Sequence, residues 1–138
     1  MKKILLVTHS HMASGIRSTV DFLCSMGDTI TAIDAYVEEG SDIEKPVADY
    51  FATVTDEDKV VIFTDVMFGS VNQYFMRFLQ GRKNCWLISG INLPVVLEVT
   101  LTGEEISDDY INRIIGEARE QLVLCPTELV ETADDELF

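Results

Sequence analysis

The strongest constraint on this chain is its alternation of short, continuous apolar runs with stretches of helical periodicity. Four runs carry the pattern: Lys3–Val7, Thr29–Tyr36, Val60–Thr64 and Cys85–Ile88. In Lys3–Val7 and Val60–Thr64 the apolar residues follow one another, which predicts strands buried on both faces. Thr29–Tyr36 is rich in β-branched residues, and Cys85–Ile88 reads as a fourth strand. Between them the period changes. Ile16, Val20 and Leu23 mark one helical face within residues 12–26. Ile43, Val47 and Phe51 mark a second, and Val71, Phe75, Phe78 and Leu79 a third. Pro94 suits the first residue of a short helix ending near Gly103. Ile106, Tyr110, Ile114, Ala118 and Leu122 then step by four along a longer one. Strands buried on both sides need cover on both sides. The expected fold is therefore α/β, a doubly wound, mainly parallel sheet with helices on both faces.

Local signals predict several boundaries. Gly27 should end the first helix and Gly81 the third. Ser70 can cap the third helix at its start. Ser41 with Glu44 has the spacing of a capping box, although Pro46 would equally suit a later start. Thr127–Thr132 reads as a last short strand within an acidic tail at about 128–138. With no internal repeat or linker, residues 1–138 are expected to form one domain.

Charge and cysteine usage narrow the function. Ten basic residues face 24 acidic ones, a net charge of −14, which argues against nucleic acid and anionic membrane surfaces. Much of the excess lies at Glu104-Glu105, Asp108-Asp109 and the tail, and is expected to be solvated. No apolar stretch approaches the roughly 20 residues needed to cross a bilayer. The run after Met1-Lys2-Lys3 is too short for a secretory signal, so a cytoplasmic location is expected. Cys24, Cys85 and Cys125 lack metal-ligand spacing and are expected to be reduced and mostly buried.

In folds of this class ligands bind beyond the carboxyl ends of the strands. Those ends are Thr8-His9-Ser10, Asp34, Asp65 to Ser70, and Ser89-Gly90. His9 and Asp65 form a chemically sensible pair. A carboxylate on one imidazole nitrogen fixes the tautomer, leaves the other nitrogen nucleophilic and stabilises the positive ring formed on attack. A helix start after Gly69-Ser70 would offer N–H groups to an anion. Together these groups suit phosphoryl transfer, which needs positioning and charge stabilisation. The residues alone leave a plainer alternative open, loop polarity at His9 and a helix cap at Asp65. His9 and His11 could also begin a metal site with Asp34 or Asp65, but no third nitrogen donor is evident and no metal is expected. Phosphate-loop, dinucleotide and nucleophile-elbow motifs are missing from the sequence, and nothing specific supports a flavin.

Three segments resemble the mannose-family IIA component of the bacterial phosphoenolpyruvate-dependent sugar phosphotransferase system. ILLVTHSHMASGI resembles its first strand and active loop, TDVMFGS its Asp-x-x-Gly-Gly-Ser/Thr segment, and LISGINLPVVLE its small-Gly-x-Asn-x-Pro signature. The similarity runs over nearly the whole chain. It implies that His9 is the phosphorylated histidine and Asp65 its support, with Ser10, Gly69 and Ser70 binding the phosphoryl group. His11, Phe68, Ser89 and Asn92 would stand on the rim. The resemblance further implies phosphoryl transfer from the carrier protein HPr to a IIB component. Membrane contact would come only through IIC and IID partners, and no cofactor is needed beyond the phosphoryl group itself. A homodimer with an exchanged C-terminal strand, here TELVET, is also implied. Three positions depart from the pattern: His11 where a small residue is frequent, Phe68 for the first glycine of the pair, and Val71 where proline is frequent. Phe68 is expected to reshape the phosphate loop without abolishing it. Similar domains serve in dihydroxyacetone kinase phosphotransfer and in transcriptional activators, so a regulatory module is the alternative to sugar uptake.

Overall fold

The computed structural model describes residues 1–128. Along the chain come β1 (Lys2–His9), α1 (Met12–Cys24), a 3-10 turn (Gly27–Thr29), β2 (Ile30–Ala35) and α2 (Glu44–Phe51). They are followed by β3 (Lys59–Thr64), α3 (Ser70–Phe78), β4 (Cys85–Ser89), α4 (Leu93–Leu101) and α5 (Asp108–Arg119). The strands form one parallel sheet in the order β2-β1-β3-β4. After β2 the chain crosses back past β1, so the winding reverses between β1 and β3. That reversal opens a crevice at the carboxyl ends of these two central strands.

Strand alternation divides the core into two layers. Ile4 and Leu6 of β1 with Val61 and Phe63 of β3 pack against α1, α4 and α5. Leu5 and Val7 with Val60 and Ile62 face the other way, against α2 and α3. All of these strand residues are essentially inaccessible, which is why the runs read as continuously apolar. Each large side chain buried in this way contributes on the order of 2 kcal/mol from lost apolar surface.

Several boundaries fall elsewhere than the sequence signals suggest. Helix α1 stops at Cys24 because Ser25, not Gly27, takes the left-handed cap conformation at φ 58. Ser41 donates its hydroxyl to Glu38 O, so the Ser41–Glu44 capping box does not form. The helix starts at Glu44 instead, and Pro46 is tolerated in its first turn, where the amide has no intrahelical acceptor. Gly69, not Ser70, is the N-cap of α3, and that helix ends at Phe78, before Gly81. Asn92 caps α4 by accepting from the Val95 amide, which moves Pro94 to the second helical position. Ser107 caps α5 in the same way, and Asp108 and Asp109 sit in its first turn, where they favour the helix dipole. Helix α5 ends at Arg119, leaving Leu122 outside the stripe and almost fully exposed. The cysteines are also less buried than expected: Cys24 and Cys85 are half-buried and Cys125 is exposed. The expected strand at 127–132 extends beyond the described residues. Among the described residues, no helix is long and apolar enough to cross a membrane.

Candidate functional site

The crevice between β1 and β3 holds His9 and Asp65. One carboxylate oxygen, Asp65 Oδ2, accepts both the His9 backbone amide at 2.9 Å and His9 Nδ1 at 2.8 Å. The other, Oδ1, accepts the Val66 amide at 2.9 Å. A carboxylate only accepts, so the proton of a neutral His9 ring belongs on Nδ1 and the lone pair on Nε2. Nε2 lies 3.2 Å from the Ser70 hydroxyl, which can donate to it. The His9 side chain is 42% exposed while that of Asp65 is only 10% exposed, so an accessible ring rests on a shielded support. Burial pushes the Asp65 carboxyl up, but hydrogen bonds from the His9 amide, the His9 ring and the Val66 amide outweigh it and hold it below the usual range.

The loop after β3 is fastened from beneath by Asn72. Its Nδ2 donates to Thr64 Oγ1 at 3.0 Å, and its Oδ1 accepts the Phe68 amide at 3.2 Å. Both Thr64 and Asn72 are buried. This clamp holds Phe68 at φ 62, in the left-handed region that favours glycine. The family pattern has glycine there, and Phe68 keeps the backbone path at a steric cost. Its ring is 59% exposed and lines a groove beside β4. Gly69 brings the loop close to the histidine. A Cβ there would meet Val66 O at 3.1 Å and His9 Cε1 at 3.6 Å. The first-turn amides of α3 have no intrahelical partners and stand beside Ser70. Val71, where proline is frequent in the family, is fully buried under α3.

Two further residues complete the rim. Tyr36, which the sequence reading missed, follows β2 directly, and register sets Ala35 opposite His9. Its ring centroid lies 5.4 Å from that of His9, and its hydroxyl donates to Ser70 Oγ at 3.1 Å. At the end of the β-branched-rich stretch Thr29–Tyr36 it reads as an ordinary strand residue. His11 is the N-cap position of α1 and turns to a different acid, with Nδ1 3.2 Å from Asp34 Oδ2. Asp34 also accepts the Ser14 hydroxyl at 2.6 Å and the Ser14 amide at 3.0 Å. Burial raises the Asp34 carboxyl, but these bonds outweigh it and hold it low.

The other expected residues contribute less. Ser10 stands beside His9 at φ 54 with its amide donated to Ala35 O, and its hydroxyl is absent from the contacts to His9. Asn92 spends its side chain on the α4 cap. Ser89 lines the groove by β4, where its hydroxyl is buried without a partner among the described residues. The two histidines engage separate carboxylates, and no group of three His, Cys, Asp or Glu among the described residues could hold a metal ion.

Asp65 makes the acid limb of stability predictable. Its folded pKa is depressed, so its contribution is fully present above the unfolded value near 3.9 and is lost as pH falls through the folded value. Thermal unfolding of wild type and Asp65→Asn should therefore differ most near neutral pH and converge in acid. A gap independent of pH would contradict the assignment.

Comparison with known proteins agrees with this architecture. A family model described as the PTS system fructose IIA component matches residues 3–115. A putative phosphoenolpyruvate-dependent sugar phosphotransferase permease from Klebsiella pneumoniae shares 29% identity, with 90% of each chain covered and a TM-score of 0.81. Phosphotransferase component EIIA from Streptococcus agalactiae superimposes at TM-score 0.76 with 22% identity, over 89% of this chain and 96% of that one. The mannose/sorbose-specific IIA subunit from Enterococcus faecalis gives TM-score 0.76 at 16% identity, over 95% and 100%. No curated protein sequence matches. The family match spans β1 to α5 and so includes the four described strands and both site loops: the chain belongs to the PTS system fructose IIA component family, the mannose-type IIA proteins of the sugar phosphotransferase system.

Proposed function

We propose that this chain is a histidine phosphocarrier in which His9 Nε2 accepts a phosphoryl group from phospho-HPr and passes it to a IIB component for sugar uptake. The observation that carries the reading is the pairing of His9 Nδ1 with Asp65, which leaves Nε2 as the basic nitrogen beside Ser70 and the start of α3. The Nε2 lone pair attacks phosphorus, the N–P bond forms, and the bond from phosphorus to the donor breaks with its electrons leaving on the donor. Asp65 balances the positive charge that develops on the ring. The Ser70 hydroxyl and the α3 amides receive the phosphoryl oxygens. Transfer to IIB reverses these steps on a new acceptor, so no metal or organic cofactor is required.

A protein, not a small molecule, fits the approach to His9. Met12 at the start of α1 and Tyr36, Val37, Val66, Met67 and Phe68 on the loops that flank the site are exposed, an apolar collar suited to a transient protein interface. The reading places the protein in the cytoplasm, with membrane contact left to IIC and IID partners.

It also includes a homodimer. Strand β4 is one edge of the sheet among the described residues, and beside it runs a groove of about 530 Å³ lined by Met76, Leu87, Ser89, Ile115 and Ala118. A strand from residues 127–132 of a second copy would pair with that edge, cover the apolar lining and offer backbone groups near the orphaned Ser89 hydroxyl. Sedimentation should give a dimer for the full chain and a monomer for a chain ending at residue 126. An unchanged state would contradict this seat.

Incubation with phosphoenolpyruvate, enzyme I and HPr should add one acid-labile phosphate to the wild type and none to His9→Gln, by intact mass. His11→Gln should still be modified. Equal labelling of His9→Gln would overturn the assignment.

A further inference from the structure

Resting on the phosphocarrier reading, we infer that Tyr36 is a positioning residue for the reaction at His9, acting through the Ser70 hydroxyl. The hydrogen bonds around the site have one consistent direction. Asp65 can only accept, so His9 Nδ1 donates to it, and in the neutral ring Nε2 accepts. The group beside Nε2 is the Ser70 hydroxyl at 3.2 Å, which therefore supplies the proton. Ser70 Oγ in turn accepts from the Tyr36 hydroxyl at 3.1 Å. The result is a chain of donors running Tyr36 to Ser70 to His9 to Asp65.

A serine hydroxyl alone is a free rotor that can spend its proton on water or on a carbonyl. The phenol occupies a lone pair of Ser70 Oγ and so biases the remaining proton toward Nε2. Formation of the N–P bond consumes the Nε2 lone pair. The Ser70 proton then has no acceptor on the ring, and a phosphoryl oxygen in that place is the nearest new one. Tyr36 thus holds the donor ready for the charge that arrives.

The backbone supports this assignment. Tyr36 lies at φ 61, a conformation unfavourable for a bulky side chain. The register places it beside the site, because Ala35 is opposite His9 and the Ser10 amide bonds to Ala35 O at 2.8 Å. The next residue is turned over the site, its ring against His9 and still 48% exposed. Such strain is typical of residues whose placement matters.

Tyr36→Phe keeps the ring and removes only the donor. Phosphorylation from phospho-HPr should slow about fivefold at saturating donor, with the donor KM unchanged. Ser70→Ala should slow it at least as much, and Tyr36→Phe should cost nothing further in the Ser70→Ala background. The second readout needs no phosphoryl donor. In nitrogen–proton NMR of the neutral ring, the His9 Nε2 resonance should move in Ser70→Ala and shift in the same direction, by less, in Tyr36→Phe. Wild-type rate and resonance in Tyr36→Phe would overturn the inference, as would an undiminished Tyr36→Phe effect without Ser70. If wild-type His9 were never phosphorylated, the phosphocarrier reading would fail while the NMR comparison still decided the Tyr36–Ser70 coupling.

Discussion

One carboxylate oxygen organises the functional end of this molecule. Asp65 Oδ2 takes the amide and the ring of His9 together, and so ties the end of β1 to the turn that follows β3. These are the strands between which the winding of the sheet reverses. A doubly wound sheet opens a crevice there for topological reasons, whatever the sequence. The bond to Asp65 makes that crevice chemically asymmetric. One ring nitrogen is committed and shielded, and the other is left basic and accessible.

Around this contact the backbone departs repeatedly from its relaxed conformations. Ser10, Tyr36 and Phe68 all lie in the left-handed region, at φ 54, 61 and 62, and all border the site. None is glycine, so each costs on the order of 1 kcal/mol or more. The offsetting contacts are specific: Ala35 O holds Ser10, and Asn72 holds Phe68 against Thr64. The strain is borne by a sheet whose central strands are buried along most of their length, which is where a rigid frame can tolerate it.

The central strands β1 and β3 were readable because they are buried on both faces, which turns burial into an uninterrupted apolar run. The edge strands β2 and β4, only partly buried, carry a weaker form of the signal. The histidine and aspartate were readable because strand ends are where polar groups must appear. Helix ends were less legible, since several residues could serve as caps and tertiary contacts chose among them. Ser70 is the instructive case. Its type and position suggested a cap, but Gly69 takes that place, leaving the hydroxyl for Nε2. Tyr36 and Asn72 escaped notice because their importance depends on cross-strand register and on a loop folding back. Sequence spacing encodes neither. The family resemblance supplied residue roles that periodicity alone left open.

The central claim is that Asp65 decides which nitrogen reacts. One-bond nitrogen–phosphorus coupling in the phosphorylated protein, with each ring nitrogen assigned by its two-bond couplings to the ring CH protons, distinguishes the two positions directly. The hydrogen-bond geometry predicts phosphorus on His9 Nε2 with Nδ1 still protonated and bound to Asp65. Phosphorus on Nδ1 would mean that the Asp65 bond is broken in the working state, and would contradict the account.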